Sequence, residues 1–371
     1  MNKLKNPFTL YGYAGAEYFC DREEETAHLI SSLRNGRNVT LMSPRRMGKT
    51  GLILHAFEQL AHSDKDCVCI YVDIFPTKSL TDFVMAFGKS VLGQSQRLYG
   101  IAEKISSLFR SANLIFSADP LTGSPQMSLD FHPNNSLTTL QDIFNSLKHS
   151  GKECFVAIDE FQQVTEYPEE GVEAILRQHV QFAPNVHFVF SGSKQHLMTD
   201  IFISPSRPFY RSTEKFGIGP IKEESYYQFS AKWFSKICVS FDREAFHRLY
   251  DKLEGHTWYL QYVLNRLYQS ANTSGDVIVK CISEIIESET DNYQKLYDSL
   301  TQNQANLLRA IACEKYVPSP QSGNFLKKYN LKAASSVNRA LQYLLDKEFV
   351  FRTPQGWEVY DRFMAIWLRR L

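Results

Sequence analysis

The feature that most restricts what this chain can become is a short apolar run, Asn38 to Met42, that meets Ser43-Pro44-Arg45-Arg46-Met47-Gly48-Lys49-Thr50 and then a stretch with helical spacing from Gly48 to about Ala61. A strand feeding a loop that opens a helix, with Gly-Lys-Thr at the junction, is an arrangement that cradles phosphates. Unpaired backbone amides at the helix N-terminus face the anion, and Gly48 permits its close approach. Lys49 reaches the terminal phosphates as a point charge, while the Thr50 hydroxyl serves as a magnesium ligand. The binding set read from this segment is Ser43, Pro44, Arg45, Arg46, Met47, Gly48, Lys49, Thr50 and Gly51. Ser43 stands where the usual pattern has its first glycine, which alters the turn into the loop and leaves the lysine and hydroxyl chemistry intact.

Further apolar runs of strand type occur at Val68 to Ile74, Cys154 to Ile158 and Val186 to Ser191. Segments with helical spacing separate them, at Leu80 to Gly93, Leu137 to His149 and Gly171 to Phe182. This alternation predicts an α/β unit with a parallel sheet covered by helices on both faces. Between Tyr99 and Asn135 the pattern weakens around Pro120, Gly123, Pro125 and Pro133, which predicts an insertion with room for a hairpin. From Ile221 onward the strand signal stops, and helices fit Glu223 to Ser235, Asp242 to Glu254, Tyr259 to Ala271 and Asp276 to Leu300. Three more helices, near Thr301 to Cys313, Ser322 to Tyr329 and Ala333 to Lys347, precede two short strands about a Pro354-Gln355-Gly356 turn. That order describes a winged helix. The expected domains are therefore a core at 1–220 with its insertion at about 99–135, a helical lid at 221–298 and a winged helix at 299–371.

The strand Phe155 to Ile158 ends in Asp159 and Glu160, and a buried strand does not finish in adjacent acids without a use for them. If that strand neighbours the phosphate loop, Asp159 supports the magnesium and Glu160 polarises an attacking water as general base. An N-cap for the next helix is the alternative. A third strand runs into Ser191-Gly192-Ser193, where Ser191 either senses the terminal phosphate or is ordinary loop chemistry. Arg207 and Arg211 follow in a Pro-rich connection, and either is placed to stabilise transition-state charge, from the same or a neighbouring subunit, or simply to be solvated.

Taken together, these residues resemble the archaeal-type ATPase family within the STAND branch of AAA+-like P-loop proteins, over nearly the whole chain. The segments Ser43 to Thr50 and Asp159-Glu160-Phe161-Gln162 closely match that family's two nucleotide motifs. Tyr18 to Glu25 looks like its aromatic, Gly-Arg and Glu signature near the adenine, with Asp21 in place of the glycine, and the resemblance implies nucleotide contacts for Phe19 and Arg22. Gly255-His256-Thr257 falls where the family has a Gly-x-Pro turn that touches the nucleotide, which implies a contact for Gly255 although Thr257 replaces the proline. Pro208 to Arg211 is similar to a family segment with an arginine, and on that basis Arg211 joins Lys49 and Glu160 as a catalytic candidate. The resemblance implies ATP and Mg2+ as ligands and a slow ATPase that acts as a nucleotide-controlled switch. A non-hydrolysing nucleotide scaffold and a DNA-binding regulator remain the alternatives. Many relatives carry a nuclease-like domain after the winged helix; this chain ends at Leu371, and no such activity is expected of it.

Composition narrows the partners. Lys and Arg total 41 against 40 Asp and Glu, so nothing draws the whole molecule to nucleic acid or anionic lipid. Residues 299–371 hold five Lys and six Arg against five acids, or +6, so this basic end is expected to have its own partner. Its third helix displays Ser335, Ser336, Asn338, Arg339 and Gln342, types that read phosphates and base edges, whereas Trp357 and Trp367 fit a small core. DNA and a protein partner both stay open, as does a homo-oligomer. Seven scattered cysteines without a metal or redox spacing read as reduced thiols, and Met1 to Thr9 lacks an apolar run. A cytoplasmic protein with no membrane span is expected.

Overall fold

The computed structural model describes residues 5–94, 98, 113–118 and 125–371, with side chains not described for 113–118 and 125–129. The chain forms two compact units, Tyr11–Gly219 and a second made of Met1–Leu10 with Pro220–Leu371.

In the first unit, strands β1 (Val39–Met42), β2 (Val68–Asp73), β5 (Cys154–Asp159), β6 (Val186–Gly192) and β7 (Glu214–Gly217) form one parallel sheet in the order β2-β5-β6-β1-β7. β5 and β6 are buried along their whole length, which is why they read as continuous apolar runs. One face is covered by helices α1 (Glu23–Arg34) and α2 (Lys49–Ser63), whose Leu29, Leu33, Leu52, Ile53 and Leu60 pack on Val39, Leu41, Phe155 and Val189. The other face carries α3 (Leu80–Leu92), α4 (Ser136–Lys148), α5 (Val172–Gln181) and α6 (Gln195–Ile203), with Phe83, Phe87, Phe144 and Leu176 against Val156, Ile158, Phe188 and Phe190.

The order of strands corrects one expectation. β5 does not neighbour β1, because β6 lies between them and pairs with both. β7, which pairs with β1 at the sheet edge, was not expected either, since Glu-Lys-Phe-Gly carries no apolar run. Within the insertion, β3 (Asn113–Ala118) and β4 (Pro125–Asp130) pair as an antiparallel hairpin; residues 99–112 and 119–124 lie outside the described residues.

The second unit begins with four helices, α7 (Glu223–Ser235), α8 (Arg243–Lys252), α9 (Thr257–Ser270) and α10 (Gly275–Asp298). The winged helix follows: α11 (Gln302–Cys313), α12 (Gly323–Lys328) and α13 (Ala334–Asp346), then a wing of β8 (Val350–Arg352) and β9 (Trp357–Val359) and a closing helix α14 (Arg362–Leu368). All seven residues of α14 are buried, and Asp361 caps it through the amides of Phe363 and Met364. Residues 5–10, expected in the core, belong to this unit. Phe8 is fully buried among Phe229, Phe234 and Tyr268, and the Asn6 and Asn265 side chains bond to the backbone carbonyls of Asn265 and Phe8 respectively. Among the described residues, no helix is long and apolar enough to cross a membrane.

Candidate nucleotide site

The phosphate loop leaves β1 and enters α2 through two residues with left-handed backbone, Arg46 at φ 66° and Gly48 at φ 95°. An added Cβ at Gly48 would meet nothing within 4 Å, so the glycine answers a backbone requirement and keeps the loop's face open. Ser43 is buried, with its hydroxyl on the Pro44 carbonyl at 3.1 Å. Lys49, only 6% exposed, folds over the loop and donates from Nζ to the carbonyls of Ser43 at 2.9 Å and Pro44 at 3.1 Å. Its ammonium is thus held above the loop by neutral acceptors.

The tip of β5 arrives at the same place although a strand intervenes. Thr50 Oγ1 donates to Asp159 Oδ2 at 2.8 Å, and Tyr71, from the tip of β2, donates to the same oxygen at 2.7 Å. Asp159 Oδ1 accepts from the Glu160 amide at 3.0 Å and from the Ser191 hydroxyl. Four neutral donors therefore fix this buried carboxylate beside the first turn of α2. In register with Asp159 on β2 stands Asp73, whose carboxyl is pushed up by burial, opposed by the Phe75 amide and reinforced by the charges of Asp159 and Glu160. Burial and the Asp159 charge likewise raise the Tyr71 phenol, which stays a donor.

Glu160 has left-handed backbone, φ 57°, where β5 turns into a short 3₁₀ segment. Its Oε2 accepts from Ser193 Oγ at 2.7 Å and from Gln162 Nε2 at 2.5 Å. The hydroxyl that meets Glu160 is thus Ser193, while Ser191 is committed to Asp159.

The remaining candidates are dispersed. Phe19 stacks on His55 with ring centroids 4.4 Å apart and sits against the first turn of α2, 3.2 Å from where a Cβ on Gly51 would lie. Tyr13 completes this aromatic wall, donating to Glu58 at 2.5 Å with His55 Nδ1 2.7 Å away. Arg22 is buried and pairs with Glu25 at 2.7 Å and with the Gly219 carbonyl. Arg207 is held by Glu173 at 2.5 Å and Asp200 at 3.4 Å, whereas Arg211 is exposed with its guanidinium 5.2 Å from the Tyr210 ring centre. Gly255 lies in the second unit at φ 68°, where a Cβ would come within 2.8 Å of Tyr250 and Pro220; packing and backbone already require a glycine there. Tyr71, Asp73, Gln162 and Ser193 contribute to the site without having been singled out as site residues by spacing alone.

Oxygen donors at a phosphate loop suit a hard divalent cation, and Mg2+ in such sites takes few protein ligands. The Thr50 hydroxyl and the Asp159 carboxylate present oxygens of that kind side by side. Among the described residues, no group of three or more His, Cys, Asp or Glu could hold a metal by itself.

Residues 19–263 match the family model described as an ATPase domain predominantly from Archaea. The chain belongs to this family. Residues 291–370 match a probable winged helix domain, in agreement with the fold of the second unit. Among curated proteins, no sequence matches. Among solved structures, the Walker-type ATPase of Pyrococcus abyssi is similar at TM-score 0.70 and 17% identity, covering 98% of this chain and 99% of that one. The ORC2 protein of Aeropyrum pernix, solved as ADPNP-ADP complexes, is similar at 0.60 and 15%, covering 98% and 95%. The ORC1 protein of the same organism in complex with DNA is similar at 0.53 and 12%, covering 98% and 96%. At these identities the likeness is one of fold. It is the fold of this archaeal ATPase family: a parallel α/β core opened by a phosphate loop, a helical segment and a winged helix.

Proposed function

We propose that this chain binds ATP with Mg2+ at the phosphate loop and hydrolyses it slowly, as a nucleotide-controlled switch whose output is the winged helix. One observation carries the reading: Thr50 Oγ1 stands 2.8 Å from Asp159 Oδ2, so the loop's metal-ligand position and the acid pair converge although their strands are not adjacent. In this reading Mg2+ supplies charge neutralisation for the terminal phosphates, held by Thr50 directly and by Asp159 through water. Lys49 exchanges the Ser43 and Pro44 carbonyls for phosphate oxygens and stabilises charge as it moves to the leaving group. Glu160 accepts a proton from the attacking water and orients it in line. Phe19 and His55 border the base end, with Arg22 positioning the segment that carries Phe19 and Gly255 retained as the lid contact that the family resemblance implies.

The test is phosphate release by purified full chain with Mg-ATP, beside Lys49→Ala and Glu160→Gln. Turnover in the parent that both substitutions cut by about 10²-fold or more supports the reading. Binding without turnover in the parent supports the nucleotide scaffold instead. Arg211, exposed and stacked on Tyr210, is proposed as a finger for a neighbouring copy. Turnover per chain should then rise with protein concentration in the parent and stay flat in Arg211→Ala.

A DNA-binding output is favoured by the outward face of α13, where Ser335, Asn338, Arg339 and Gln342 are exposed. The winged-helix match and the DNA in the ORC1 complex point the same way. Duplex binding that weakens steeply with salt supports it, and absence of binding at low salt leaves a protein partner as the output.

A further inference from the structure

The carboxylate of Glu160 is gripped from two sides by groups that the hydrolysis scheme does not use. On one side Ser193, 3% exposed, gives its single hydroxyl proton to Glu160 Oε2, which leaves its lone pairs to accept; they accept from Arg45 Nε, in the phosphate loop, at 3.2 Å. The Arg45 guanidinium lies 5.4 Å from the centre of the Phe75 ring. On the other side Gln162, 2% exposed, donates from Nε2 to the same carboxylate oxygen.

Gln162 makes this contact at a cost. Its Oε1 is buried and meets no protein donor among the described residues. That oxygen is pressed into the wall of the β6 tip, where a Cβ on Gly192 would fall 2.3 Å from it and 2.5 Å from Met198 Sδ. A buried amide oxygen without a donor destabilises the fold. Turning the amide over would set its oxygen against the carboxylate, so the hold on Glu160 dictates the orientation. Leucine or methionine would fill a wall made by Gly192 and Met198 without burying an unmet acceptor. A glutamine there serves the carboxylate rather than the core.

We infer that Gln162 and Ser193 are positioning residues that aim the Glu160 carboxylate at the attacking water, with Arg45 linking that aim to the phosphate loop. The inference rests on the reading of Glu160 as general base. It makes the side chain at the fourth place of the acid motif part of the catalytic geometry. It also gives a mid-loop arginine a use apart from phosphate binding: through Ser193 it ties the Glu160 carboxylate to the phosphate loop.

Three readouts on the full chain test it: steady-state Mg-ATP hydrolysis, affinity for a fluorescent ATP analogue, and thermal unfolding. Gln162→Leu should lower kcat about tenfold, the loss expected for one hydrogen bond to a charged group. KM and analogue affinity should stay within about twofold, because ground-state binding is untouched. Thermal stability should hold or rise, since the orphan oxygen is gone. Ser193→Ala should show the same kcat-only loss. In a Glu160→Gln background, Gln162→Leu should change kcat by less than about twofold, because a residue that acts through the base has nothing left to aim.

A fall in melting temperature together with a matching rise in KM would mean that Gln162 is merely structural, and overturns the inference. So does an equal kcat loss in both backgrounds, or no loss in either. Parental turnover retained by Glu160→Gln overturns the base reading and this inference together, which separates that failure from the others.

Discussion

Two buried polar clusters, one in each unit, show how differently a protein treats charge it keeps and charge it offers. In the second unit Arg362, 2% exposed, donates to Glu254 at 2.5 Å, to Glu358, and to His256 Nε2 at 2.7 Å. Thr353 holds the second oxygen of Glu358 at 2.9 Å, and Arg369 approaches Glu254 at 3.4 Å. Cations and anions meet inside the cluster, tying the end of α8 to the wing and α14. At the sheet tips of the first unit the pattern is the reverse. The donors on Asp159 and Glu160 are hydroxyls, a phenol and amides, and Lys49 donates to the backbone carbonyls of Ser43 and Pro44. A buried ion set closed on itself is a structural joint. Acids held by neutral donors, next to a lysine that reaches two backbone carbonyls, form a site prepared for a charged ligand.

The sharpest way to break this comparison is to remove the lysine or the base. Lys49→Ala or Glu160→Gln should reduce ATP turnover by on the order of 10²–10⁴, the range for losing a main charge stabiliser or a general base. Melting should change little without ligand, and Mg-ATP at about 100 times its Kd should stabilise the parent by about 2.7 kcal/mol. Lys49→Ala should lose that gain in a calorimetric scan. In the other cluster Arg362→Ala should cost about 3–5 kcal/mol in denaturant unfolding by stranding two carboxylates. Replacing Arg362, Glu254 and Glu358 together with apolar residues of similar volume should recover most of it; a triple variant no better than the single one would mean that the joint does more than neutralise itself.

Smaller effects sharpen the contrast. Tyr71→Phe removes one of four donors on Asp159, so the Mg2+ concentration for half-maximal turnover should rise by about threefold to tenfold at unchanged ATP affinity. The smallest effect is in pH. Burial, and then the Arg362 charge, hold His256 well below the ordinary histidine value, so the folded chain keeps it neutral where the unfolded chain takes up a proton. Stability contributed by this residue is therefore present above the unfolded value near 6.5 and lost as pH falls below it, by up to about 1.4 kcal/mol per pH unit until the folded group titrates. His256→Gln should flatten the fall in unfolding free energy between pH 6.5 and 5.5.

How much of this was legible beforehand follows from what each residue depends on. β5 and β6 announced themselves because both their faces are buried, and Lys49, Thr50, Asp159 and Glu160 because loop and strand-end chemistry is local in sequence. β7 was hidden because an edge strand of alternating burial needs no apolar run. Strand order was not legible at all: β6 slips between β1 and β5 through connections that look alike along the chain. Tyr71, Asp73, Gln162 and Ser193 join the site through register and side-chain reach, which depend on that order.

Phe8 has a consequence for the making of the chain. Its partners Phe229, Phe234 and Tyr268 are translated some 220 to 260 residues later. At ribosomal speeds of about 5–20 residues per second, the opening segment waits on the order of ten seconds to a minute for them. Throughout that interval the whole of the intervening unit emerges and is free to fold, while a phenylalanine that ends fully buried has nowhere to go. Nascent-chain helpers that bind short apolar stretches have their window there, and it closes only once the helices that carry those three rings have been made.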